Sequence, residues 1–130
     1  MAENDTFVPT PAFKAFLEQT VLRTKDKQNI HEWFVTFRFT EKKITSHGLT
    51  FEIDVDTTYL CALITVSWVA QEFFTNGRLK ELENDIAHEL AHIITTPAHD
   101  FGTEFLPKEK RKEWNTLMEQ LTQKIANLIS

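Results

Sequence analysis

From Leu79 onward, Leu82, Ile86, Leu90 and Ile93 recur at three- and four-residue spacing, with His88, Glu89 and His92 among the polar residues between them. That spacing predicts one amphipathic helix. It therefore places an H-E-x-x-H sequence, His88-Glu89-Leu90-Ala91-His92, on helical backbone by apolar periodicity alone. Residues i and i+4 lie one turn apart on the same face, so both imidazoles can converge on one metal ion. Glu89 sits about 100° further round the helix, poorly placed as a ligand but able to touch a water beside the ion. It is the candidate general base. Two solvated histidines next to a glutamate are the bland alternative, and a chance match in a chain with five histidines has a probability of roughly 2%. Pro97 disfavours a helical residue before it, so this helix is expected to stop near Thr96.

The segments around it switch period. Thr10 and Pro11 read as an N-cap with proline at the first helical position, and Phe13, Phe16, Leu17 and Val21 continue a helix to about Arg23. The polar stretch 24–29 should break it. Trp33, Val35, Phe37 and Phe39 then alternate with Phe34, Thr36 and Arg38, a half-buried strand. After a connection holding Ser46, His47 and Gly48, Leu49, Phe51, Ile53 and Val55 face inward, with Thr50, Glu52, Asp54 and Asp56 toward water. A third strand is expected over 59–68, with Leu60, Ala62, Ile64, Val66 and Trp68 on one face, and short connections make antiparallel pairing the default. Residues 71–74 carry no clear signal, and Asn76-Gly77 is a break. Pro107 opens a last helix whose apolar stripe is Trp114, Leu117, Leu121, Ile125 and Leu128. The order αβββαα makes an α+β fold: a small antiparallel three-stranded sheet with a backing helix, an active-site helix and a C-terminal helix, in one domain over 1–130.

A catalytic zinc site usually takes three protein ligands and keeps a position for water, so a third ligand is sought downstream. His99, just past Pro97, would reach the ion if the chain folds back. Glu119, on the polar side of the last helix, would reach it if that helix packs beside the first. Glu113 is a weaker third option, and Glu104 and Asp100 are candidates to orient His88 or His92.

Composition narrows the function classes. A length of 130 residues, 42% apolar and 25% charged, suits one soluble globular domain. A net charge of −5 gives no broad basic surface, so no nucleic-acid partner is expected. The single Cys61 lies in an apolar run and reads as a buried small hydrophobe. Three glycines leave no room for a phosphate-cradling loop. Residues 1–5 are acidic and polar, unlike a signal peptide, and no run approaches a membrane span, so a cytoplasmic protein without a membrane partner is expected. Oligomeric state is left open. Phe73, Phe74, Phe101 and Phe105 are candidates to line a cleft or a partner surface, given eleven phenylalanines in so short a chain.

The H-E-L-A-H helix, preceded by a small sheet and a backing helix, resembles the minimal zincin metallopeptidases, in particular the minigluzincins. The resemblance spans residues 33–129: Trp33 with Val35, Phe37 and Phe39; the strand Ala62-Leu63-Ile64-Thr65-Val66; H-E-x-x-H; Pro97; and a closing helix with Glu119-Gln120-Leu121 and Ile125-Ala126. It implies a Zn2+ peptidase with His88 and His92 as ligands, Glu119 as the third, Glu89 as general base and a peptide or protein as substrate. A latent state, with a terminal segment over the cleft, is part of what minigluzincins imply. The N-E-x-x-E signature of large gluzincins is absent. The chain is also similar to Sprt-like proteases, which would make His99 the third ligand, with His99-Asp100 and Phe105 standing for their H-G-x-x-F run. The metzincin pattern fails, because Thr95 replaces its glycine and the next histidine is one residue late. A catalytically inactive zincin-fold module that binds metal or protein is the alternative, and a metal-free interaction module the last.

Overall fold

A computed structural model describes residues 6–42 and 49–129. The expected connection at Ser46, His47 and Gly48 and the acidic residues 1–5 lie outside the described residues. Helix α1 spans Pro11–Gln28, strand β1 Phe34–Thr40, β2 Phe51–Asp56, β3 Cys61–Ser67, α2 Trp68–Thr75, α3 Leu79–Phe105 and α4 Arg111–Leu128. The fold is α+β, with a three-stranded sheet covered by helices.

Thr10 caps α1 by accepting from the Phe13 N–H, with Pro11 at the first turn, as the sequence implies. The helix runs one turn beyond the expected end. One face of its polar last turn is packed inward: Thr24 and Gln28 are buried, and Gln28 Nε2 donates to the Ala87 carbonyl at 3.1 Å. Asn29, in the left-handed region at φ 57°, then closes the helix.

The sheet order is β1-β3-β2. β2 and β3 form the antiparallel hairpin that their short connection dictates, pairing Ile53 with Ile64. β1, however, lies parallel to β3, with Phe37 beside Ile64, so the sheet is mixed and not wholly antiparallel. The reason is burial. β3 hides Ala62, Ile64 and Val66 on one face and buries Thr65 and Ser67 on the other, which fits a central position, whereas β1 and β2 alternate and suit the edges. β3 also ends earlier than expected. Ser67 turns the chain by capping α2, its hydroxyl accepting from the Val69 N–H and donating to the Leu49 carbonyl at 2.6 Å, so Trp68 begins a helix. The outer members of the expected inward faces, Leu49, Leu60 and Trp68, are exposed, while Thr50 is buried. Phe73 and Phe74, within the segment that carried no signal, lie on α2 and pack against the core. Gly77 takes φ 78° at the expected break.

α1 and α3 close over the sheet, and Phe13, Leu17, Phe51, Ile64, Val66, Leu82, Ile86 and Leu90 form the fully buried centre. α3 does not stop at Thr96. Pro97 lies inside a helix of 27 residues. An interior proline costs about 3 kcal/mol, and the contacts that the following turns make with α4 offset it. The Trp114 indole donates to the His99 carbonyl at 3.0 Å, and its ring packs so closely on Gly102 that a Cβ there would lie 2.3 Å from it. α4 returns antiparallel to α3 through a short 3-10 turn at Lys108–Lys110. The face it presents is Met118, Thr122 and Ala126, and the expected leucine stripe is not the buried one: Leu117, Leu121 and Leu128 are exposed. Small side chains let the two helices approach, Ala87 and Ala91 meeting Ala126.

Candidate metal centre

The α3–α4 pairing brings polar residues of both helices into one cleft of about 980 Å3, lined by Asp85, His88, Glu89, His92 and His99 from α3, by Glu119 and Gln123 from α4, and by Thr50 and Phe51 beside them. His88 and His92, one turn apart, present Nε2 to the same carboxylate oxygen: Glu119 Oε1 lies 2.5 Å from His88 and 3.4 Å from His92. Ligand atoms of these three residues lie within 4.8 Å of one another, and the group could hold a metal ion. Two imidazoles and a carboxylate are the donors that a borderline divalent cation takes. Because Glu119 comes from a different helix, only the packing of α4 completes the set.

His99 does not join it. Since α3 continues through Pro97, His99 is carried about two turns, roughly 10 Å, along the axis from His92. It lines the far end of the cleft, where its Nε2 lies 2.6 Å from Asn115 Oδ1. Glu113, Asp100 and Glu104 are exposed and are not among the residues that line the cleft. None of these acidic side chains is the group that orients the imidazoles. Gln123 takes that place: its Oε1 lies 2.8 Å from His88 Nδ1, and its Nε2 donates to Asn127 Oδ1 at 2.8 Å. With Nδ1–H donating to Gln123, His88 turns Nε2 toward Glu119 and the metal position. Gln123 follows Glu119 by four residues on α4, and the signal in the sequence was that spacing, legible only once Glu119 is known to face the histidines.

Glu89 is 9% exposed yet lines the same cleft. Burial first, then the carboxylates of Glu119, Asp85 and Glu52, push its carboxyl from 4.5 up to about 8. With no cation beside it, Glu89 keeps its proton at neutral pH; a cation at the histidines would favour the carboxylate. Asp85 is raised as well by burial, although it accepts from the Thr50 hydroxyl at 2.8 Å.

The chain matches no family model, no curated protein and no solved structure. The functional reading therefore rests on the geometry of this cleft. Among the described residues, no helix is long and apolar enough to cross a membrane.

Proposed function

We propose that this chain is a small zinc-dependent peptidase of the zincin type. The observation that carries the reading is the meeting of Glu119 with His88 and His92, with the buried Glu89 opening on the same cleft. Three protein donors leave a fourth position for water or substrate, the arrangement of a catalytic site.

Zinc held by His88, His92 and Glu119 would supply Lewis acidity toward a scissile carbonyl and a water of lowered pKa. Glu89 would take the proton from that water at its carboxylate and pass it to the departing amine. Gln123, whose Oε1 lies 2.8 Å from His88 Nδ1, would hold that imidazole with Nε2 toward the metal. β2 is an edge strand with Thr50 and Phe51 at the cleft, so an extended peptide can add to the sheet there through main-chain hydrogen bonds.

The test is metal content by mass spectrometry, on protein purified without chelator or nickel, alongside cleavage of casein. About one zinc per chain, with cleavage lost and zinc kept in Glu89→Gln, is the expected result. Unchanged cleavage in Glu89→Gln would remove that residue from the role. Zinc without cleavage would leave a metal-binding module on the same scaffold, and absence of zinc uptake would end the reading.

A further inference from the structure

The side of the α3–α4 hairpin away from the cleft carries an apolar stripe that is exposed among the described residues. On α3, Ile94, Phe101 and Phe105 are 39%, 66% and 67% exposed, and the two phenylalanine rings pair at 4.7 Å. With Ala98 they recur at i, i+4, i+7 and i+11, roughly 130° round the helix from His88 and His92. On α4, Leu117, Leu121 and Leu128 are 55%, 42% and 84% exposed, roughly 180° from Glu119. Both stripes flank the seam where Thr95 meets Thr122, so they form one face. Scattered surface leucines need no explanation, but a contiguous stripe on two packed helices does.

We infer that this face binds a second copy of the same chain, the two hairpins building a four-helix bundle with their α4 helices antiparallel across a two-fold axis. The spacing on α4 supports it: Lys110, Trp114, Leu117, Leu121, Lys124 and Leu128 alternate steps of four and three, the repeat of a helix seam. Charge chooses the partner and the direction. An antiparallel two-fold centred between Leu117 and Leu121 sets each Leu117 against the other copy's Leu121, and brings Lys124 of one copy beside Glu113 and Trp114 of the other. A parallel arrangement would oppose Lys124 to Lys124, which repel, and would not bring Lys124 to Glu113. An isologous contact needs just such self-complementarity. The cleft lies on the opposite side and stays open to substrate, so the inference is independent of the peptidase reading.

Sedimentation equilibrium of the full chain, over about 1 to 100 µM, tests it. The expected mass is twice the 15.2 kDa of one chain. Leu117→Glu with Leu121→Glu should weaken association at least about 100-fold while leaving the far-ultraviolet circular dichroism unchanged, because both side chains are exposed in the single chain. Should that variant fail to fold, charge reversal still decides. Glu113→Lys alone should weaken the dimer about 3- to 10-fold, and adding Lys124→Glu should restore it. A monomer throughout the range, a dimer indifferent to the leucine changes, or a double reversal that does not recover association would each overturn the proposal.

Discussion

The two sides of the α3–α4 hairpin are built from the same pair of helices and have opposite chemistry. The cleft side gathers His88, His92, Glu89, Glu119 and Gln123, where each polar group is either paired or held at an unusual protonation. The outer side carries Phe101, Phe105, Leu117 and Leu121, which touch solvent. Polar groups gathered in a partly buried cleft and apolar groups left in water are both unfavourable placements, and a chain retains such placements where something else is to bind. On the cleft side the proposed occupant is a metal ion; on the outer side it is the matching apolar face of a second copy of the chain.

The contrast breaks most completely at the histidines. His92→Ala should abolish zinc uptake and with it the stabilisation that zinc gives, about 3 to 4 kcal/mol at 100 to 1,000 times the dissociation constant. Thermal melts with and without zinc read this, and an unchanged zinc-induced shift in the variant would show that the cluster is not the site. On the outer side, the leucine variants described above should leave that shift untouched.

Next comes pH. The folded, zinc-free protein holds a proton on Glu89 up to about 8, against 4.5 for the ordinary group. The unfolded chain releases that proton first, so the stabilisation is fully present below about 4.5 and is lost as pH rises to about 8. The zinc-free protein should accordingly be less stable at pH 8 than at pH 5 by on the order of 3 kcal/mol, with Asp85 adding in the same direction. Glu89→Gln should flatten most of this slope in urea titrations at the two pH values. A slope that survives the substitution would assign it elsewhere.

Gly102→Ala tests the seam that separates the two sides. A methyl there meets the Trp114 ring, whose indole is tied to the His99 carbonyl, and the shift required should cost about 1 to 3 kcal/mol. The smallest effect expected is that of Gln123→Ala, which leaves all three ligands but frees the His88 ring; zinc affinity should fall about 10-fold, at the low end for a group that orients a metal ligand. Competition with a chromophoric chelator measures it, and an unaltered affinity would deny Gln123 the orienting role.

Much of the architecture could be read from periodicity. The Thr10-Pro11 start, the alternation in β1 and β2, the Asn76-Gly77 break and the Leu82/Ile86/Leu90/Ile93 face of α3 all depend on local backbone preference or on burial of one face, which a few neighbouring residues express. Within the site, His88, Glu89 and His92 were legible for the same reason, since they share one helical turn. Local signals and structure part wherever a distant segment decides the outcome. Pro97 signals a stop because its local cost is real, and only α4 packing against the turns beyond it keeps them helical. The α4 leucine stripe is the most apolar face of that helix, yet Thr122 and Ala126 on the adjacent face permit the closer approach to α3.

What the sequence determined by itself, then, is a helix bearing two convergent imidazoles and a carboxylate beside them, because helical geometry is repeated every turn and needs no partner. The tertiary structure alone decided that β1 would lie parallel to β3, that Glu119 and not His99 would complete the cluster, and that Gln123 would hold His88. Those outcomes depend on which surfaces exclude water from one another across the whole chain, a global competition that no short window of residues contains.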